Sequence, residues 1–315
     1  MSTVSSEQRG VIAALITPCS KPGISDPVAM KRISGILIDR GCHGLFVVGS
    51  TGEQPLLDED QRRELIAAAR DGAGKEAKIY AGVSGCGAKQ AIRYACNAEK
   101  DGADAAIVMA PFFLKTSQQG LLEYIRQIAD ASPIPVGIYN HFRMPSQFEK
   151  QTIYQLAQHP NIIIVKDTDS DADRSIGMIH ALKKAPISFF QGREPFLYDS
   201  FTAGAAGCVS ALANIAPEAH RKLYDAFRAG NFYEAKKYQK IIDSLGRIFT
   251  LDETRTSFAG FSYSIRQIAK YRGWLDDNYG MLPGFTGTDA YNKKLFNIAS
   301  EAGLLNDDER KKINS

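Results

Sequence analysis

Apolar residues in this chain fall into short, nearly unbroken runs, separated by longer stretches in which apolar positions recur every three or four residues. The runs are Val11–Ile16, Gly44–Val48, Lys78–Gly82, Ala105–Met109, Pro135–Tyr139, Ile162–Lys166, Ile187–Gln191 and Gly207–Ser210. A run without polar alternation suits a parallel strand covered on both faces, and the intervening stretches carry the period of amphipathic helices. Eight such strand–helix units predict an α/β fold, a (β/α)8 TIM barrel. Asp26 before Pro27, and the capping-box spacing of Asp58 and Gln61, mark two helix starts and give Asp58 and Glu59 structural work. Beyond residue 230 the strand signals stop. Helical patterns over Asn231–Leu245 and Thr254–Tyr271 predict a C-terminal helical extension packed on the barrel. The expected division is a polar N-terminal segment, 1–10, a barrel, 11–230, and the extension, 231–315, without a linker between them.

Composition narrows the partners. The chain has 315 residues, 44% of them hydrophobic, enough for a sizeable core. Its 38 basic and 35 acidic residues leave a net charge of +3 and no basic stripe of the kind nucleic acid or an anionic membrane would need. Small molecules are the expected partners. The first ten residues lack the layout of a signal peptide, and no apolar stretch is long enough to span a bilayer, so a cytoplasmic location is expected. Cys19, Cys42, Cys86, Cys96 and Cys208 form no CxxC pair and suggest neither a metal site nor a disulfide framework. The glycines of Gly82–Gly87 are misplaced for a dinucleotide-binding GxGxxG.

In such a barrel chemistry belongs at the C-terminal ends of the strands. Lys166 ends the run Ile162–Val165, where burial would favour a neutral, nucleophilic amine; snorkelling or pairing with a carboxylate is the plainer alternative. Strand alternation puts Ile162, Ile164 and Lys166 on one face and Ile163, Val165 and Asp167 on the other, so an outward Asp167 would leave the amine without a counter-charge. Tyr139, ending the fifth run, can face the barrel axis as a proton shuttle or as a packing residue. The second run leads into Gly49-Ser50-Thr51-Gly52-Glu53. That turn offers two hydroxyls and several N–H groups to a small carboxylate, or uses glycine merely to bend sharply.

Together, GSTGE, the strand-end tyrosine and IIIVKDTD resemble the dihydrodipicolinate synthase and N-acetylneuraminate lyase family of Schiff-base pyruvate enzymes. Gln191-Gly192-Arg193-Glu194 and Gly204–Ser210 followed by Asn214 are similar to the family's later motifs, so the resemblance covers most of residues 10–300. It implies that Lys166 forms an imine with pyruvate or another 2-keto acid and that Tyr139 moves protons. Ser50 would link Tyr139 into a relay, Thr51 and Gly52 would hold the substrate carboxylate, and the Val209 carbonyl would line the pocket. No metal and no organic cofactor is implied, and relatives suggest a homotetramer, a dimer of dimers.

Two positions depart from the pattern. Phe113 replaces a relay tyrosine and cannot pass a proton. Met144 occupies the place of an arginine that holds the aldehyde's carboxylate in dihydrodipicolinate synthases, with Arg143 displaced by one residue. His141, Arg143 and Arg193 are the candidate specificity residues, with a solvent-facing or structural role as the alternative for each. The leading expectation is a class I aldolase cleaving a 4-hydroxy-2-oxo acid of the 2-keto-3-deoxy sugar acid type to pyruvate and an aldehyde. The alternatives are 4-hydroxy-tetrahydrodipicolinate synthase, a dehydratase of a related sugar acid, and a catalytically silent binding barrel.

Overall fold

A computed structural model describes residues 8–251, 258–282 and 285–306. The expected polar segment at 1–7, the start of the expected Thr254–Tyr271 helix and the end of the chain from 307 lie outside the described residues. Eight parallel strands close into a barrel: β1 (Gly10–Ala14), β4 (Gly44–Val47), β5 (Lys78–Gly82), β6 (Ala105–Met109), β7 (Val136–His141), β8 (Ile162–Thr168), β9 (Ser188–Gln191) and β10 (Gly207–Ser210), with β10 pairing back to β1. Strands β2 (Cys19–Lys21) and β3 (Ile24–Ser25) form a small antiparallel hairpin apart from the barrel. The outer ring comprises α1 (Pro27–Asp39), α2 (Glu59–Ala73), α3 (Ala88–Lys100), α4 (Gln118–Ala131), α5 (Lys150–Leu156), α6 (Ala172–Leu182), α7 (Leu197–Ala203) and α8 (Pro217–Arg228). Further helices α9 (Phe232–Leu245), α10 (Phe258–Tyr271) and α11 (Asp289–Glu301) follow.

Local chemistry explains the helix starts. The Asp26 carboxylate accepts the N–H groups of Val28 and Ala29 while Pro27 occupies the first turn, and Asp58 and Gln61 exchange side-chain and backbone bonds in a capping box. Glu59 accepts from Asn97 Nδ2 at 2.6 Å and pairs with Arg93, in line with a structural role. No described helix is long and apolar enough to cross a membrane.

Two apolar layers surround the strands. The larger lies between strands and helices, and the smaller fills the barrel with residues such as Ile12, Phe46, Tyr80, Ile107, Phe190 and Val209. Strand β8 corrects the simple alternation. Val136 pairs with Ile162 but Gly137 pairs with Ile164, so Ile163 is an extra residue, a β-bulge. Ile162 consequently packs toward the helices, and Ile163 joins Ile164 in the barrel interior, the reverse of the expected assignment for those two positions. Gly137 makes room: a Cβ there would lie 2.4 Å from Ile107 Cδ1 and 3.1 Å from Ile164 Cβ. From Ile164 onward the alternation holds. Tyr139 then pairs with Lys166, and Asn140 with Asp167.

Candidate active site

Lys166 points into the C-terminal mouth of the barrel and is 3% exposed. Its Nζ lies 3.9 Å from the Tyr139 ring centroid and 4.7 Å from that of Phe46, so aromatic faces rather than a carboxylate receive the amine. Asp167 faces the other way. It accepts from Asn140 Nδ2 at 2.8 Å and from Ser175 Oγ at the base of α6. Burial raises its pKa against the lowering effect of those two bonds, and it anchors the outer layer without reaching Lys166.

Ser50 Oγ and Tyr139 Oη are 3.1 Å apart, a hydrogen bond across the barrel mouth from the β4 turn to the end of β7. The turn is closed by Glu53 N–H donating to Ser50 O at 2.9 Å and Gln54 N–H to Gly49 O at 3.2 Å. Thr51 is buried at its tip, and Gly52 O accepts from Thr17 Oγ1 at 2.6 Å. Val209 lines the opposite wall. Behind it, Glu194 Oε1 accepts from Ser210 Oγ at 2.9 Å and from the Ala211 N–H at 3.0 Å, tying the β9 and β10 loops together. Asn214 links β10 to β1, accepting from the Ile16 N–H at 3.1 Å and donating to Ala14 O at 2.7 Å.

Lys166, Tyr139, Ser50, Thr51, Val209 and Glu194 border one cavity of about 520 Å³, Gly52 lies behind Thr51 outside its lining, and His141, Arg143 and Arg193 line its outer part. His141 stands edge-on to Tyr139, with ring centroids 5.5 Å apart, and stacks on Phe142 at 4.9 Å. Its Nδ1 accepts the Arg143 N–H at 3.1 Å. Burial first, then the charges of Lys166, Arg143 and Arg193, push the His141 pKa down to about 3. The Arg143 and Arg193 guanidiniums lie 5.4 Å and 5.7 Å from the Phe142 ring centroid, and Arg193 Nε is buried without a hydrogen-bond partner. The displaced Arg143 therefore still reaches the cavity. Met144 packs instead against both apolar layers.

Sequence reasoning overlooked part of the lining. Thr168 lies one period beyond Lys166 on the same strand, and its buried Oγ1 has no partner. The period-two spacing from Lys166 was the available signal. Asp243, Phe258 and Phe261 reach the rim from the C-terminal helices, and nothing local in the sequence announces this. Phe113 is 87% exposed, adopts φ of 70° and does not line the cavity. Among the described residues no group of three or more His, Cys, Asp or Glu side chains could hold a metal ion.

The profile of the dihydrodipicolinate synthetase family matches residues 7–302. The chain belongs to that family. A 4-hydroxy-tetrahydrodipicolinate synthase from Streptomyces coelicolor is 34% identical over 230 residues, covering 73% of this chain and 74% of its own. Another, from Nitrobacter hamburgensis, is 30% identical over 302 residues, 95% of this chain and 98% of its own. Among solved structures, the prophage protein YagE from E. coli K12, a family member in complex with pyruvate, is 25% identical with a TM-score of 0.88, covering 94% of this chain and 99% of its own. The chain is thus an enzyme of the Schiff-base, pyruvate-dependent aldolase type. A monomeric dihydrodipicolinate synthase variant, 22% identical, has the same fold with a TM-score of 0.86, so this fold does not by itself set the number of subunits.

Proposed function

We propose that this family member forms an imine between Lys166 and pyruvate or a larger 2-oxo acid and makes or breaks the bond between C3 and C4. The observation that carries the reading is the buried Lys166 amine set against Tyr139, itself hydrogen-bonded to Ser50, at the mouth of the barrel. The amine adds to the C2 carbonyl and water leaves, giving a protonated imine. In cleavage, the C4 hydroxyl gives its proton to Tyr139, acting as base, as the C3–C4 electron pair moves toward the imine. An aldehyde departs, the enamine takes a proton at C3, and hydrolysis frees pyruvate. Thr51 and Gly52 would hold the substrate carboxylate, and the Val209 carbonyl would border the methyl end.

One substrate reading, the one expected first from the sequence and not specifically supported by the relatives, is a 2-keto-3-deoxy sugar acid. It is motivated by Met144 in place of the aldehyde-binding arginine and by the polar run that follows Lys166. The better supported is 4-hydroxy-tetrahydrodipicolinate synthesis from pyruvate and aspartate semialdehyde, favoured by the names of the relatives and by Arg143 and Arg193 in the outer cavity. We infer assembly as a dimer of dimers, with Phe113 on the outside of each subunit available to a second copy. Borohydride added with pyruvate, followed by peptide mass analysis, tests the common step: the adduct is expected on Lys166, and an unmodified lysine leaves a silent binding barrel instead. Pyruvate release from sugar-derived keto acids, compared with consumption of aspartate semialdehyde, separates the two substrate readings.

A further inference from the structure

The turn assigned to the substrate carboxylate is bounded by two residues in an unusual conformation. Val48, two residues before Ser50, has φ of 47°, and Glu53, directly after Gly52, has φ of 56°. Neither is glycine, and a residue held in this region costs on the order of 1–3 kcal/mol and persists only where its surroundings over-determine it. For Glu53 those surroundings come from the far end of the chain. Its carboxylate pairs with Arg266 of α10 and accepts from Ser262 Oγ at 3.2 Å, the Met281 N–H at 3.1 Å and the Leu282 N–H at 3.4 Å.

Arg266 also reaches the turn by a second route. Its Nε donates to Thr17 O at 3.1 Å, and Thr17 Oγ1 donates to Gly52 O at 2.6 Å. Residues 52 and 53 are therefore held from two directions, immediately beside Thr51. Both side chains of the ion pair are 2% exposed. A buried pair of this kind is a poor device for stability alone, because apolar side chains of similar volume often serve as well or better. What a guanidinium fork spanning the Glu53 carboxylate and the Thr17 carbonyl does supply is fixed geometry.

We propose that the Glu53–Arg266 pair positions the Thr51–Gly52 end of this turn, so that helix α10 sets the site's affinity for the pyruvate carboxylate. This rests on that turn being the carboxylate cradle and Lys166 the imine former. Lys166 and Tyr139 stand on other strands. Loss of the pair should therefore weaken pyruvate binding far more than it slows the bound complex.

The test is borohydride trapping of the full-length protein across a pyruvate series, read by intact mass. Glu53→Gln is expected to raise half-saturating pyruvate about ten-fold or more while trapping at saturation stays near wild type. Arg266→Lys, which keeps the charge but not the fork, should fall between wild type and Arg266→Met. Wild-type half-saturation in Glu53→Gln overturns the proposal, even with a lowered melting temperature, because the pair would then be structural only. Should Glu53→Gln fail to fold by circular dichroism, Ser262→Ala decides: a rise of about two- to five-fold supports the proposal and no change overturns it. A wild-type protein that pyruvate and borohydride leave unmodified would instead sink the imine reading, a result distinct from an unaltered variant.

Discussion

The inner and outer parts of the cavity are built differently. The inner part stands on strand ends and one tight turn: Lys166 and Tyr139 are almost fully buried, and Ser50 spans from the turn to Tyr139. The outer part stands on the last residue of β7 and on loops, where His141, Arg143 and Arg193 gather around the Phe142 ring and the C-terminal helices contribute the rim. The contrast separates two tasks. Chemistry needs atoms fixed by a scaffold, whereas choice of partner can change with loops that leave the scaffold intact.

The largest expected effect lies inside. Lys166→Met should abolish adduct formation and lower kcat/KM by on the order of 10⁴-fold or more, since no imine can form. Steady-state kinetics with intact mass would check it, and a variant still active through an imine would break the division at once. Next comes Tyr139→Phe, expected to lower kcat by about 10²- to 10⁴-fold through loss of a proton carrier. Single-turnover rates would show whether the loss falls on chemistry.

The outer part should behave otherwise. Arg143→Ala and Arg193→Ala are each expected to raise KM for an anionic second substrate about ten-fold, with pyruvate trapping unchanged. If pyruvate half-saturation moves as much, the two parts are not separate. The smallest effect concerns His141, whose pKa is held near 3 by burial and by Lys166, Arg143 and Arg193. Its ring should stay neutral from pH 8 to about 4, and NMR titration of the imidazole protons would reveal it. The unfolded chain binds a proton at this position below about pH 6.5 and the folded chain does not, so stability is lost as pH falls through that window. His141→Asn should flatten this part of the acid limb in denaturant titrations.

Much of this architecture could be read from the sequence, for a physical reason. Strands covered on both faces carry long apolar runs, and each of the eight expected runs overlaps a barrel strand. The β2–β3 hairpin escaped notice because three and two residues are too few to show a period. Lys166, Tyr139, Ser50, Thr51 and Val209 do line one cavity, as strand-end positions in a barrel should. The rim residues Asp243, Phe258 and Phe261 could not be foreseen, because helix packing at long range brings them there. Nor could the bulge in β8, since four consecutive branched apolar residues look the same in either phase.

That extra residue, Ile163, has a consequence for how this lineage can vary in length. Were Ile163 kept but paired rather than bulged, uninterrupted pairing from Val136 and Ile162 would set Tyr139 opposite Val165 and turn Lys166 out toward the helices. Losing Ile163 itself would restore regular pairing and keep Tyr139 opposite Lys166, so it is the loss of the bulge with the residue retained that would leave every side chain of the site in the chain and no working assembly of them. Length changes should be tolerated in the loop before β8, and within the strand only where a bulge takes up or gives back the odd residue, so the phase of the strand from Ile164 onward is as much an active-site determinant as the lysine itself.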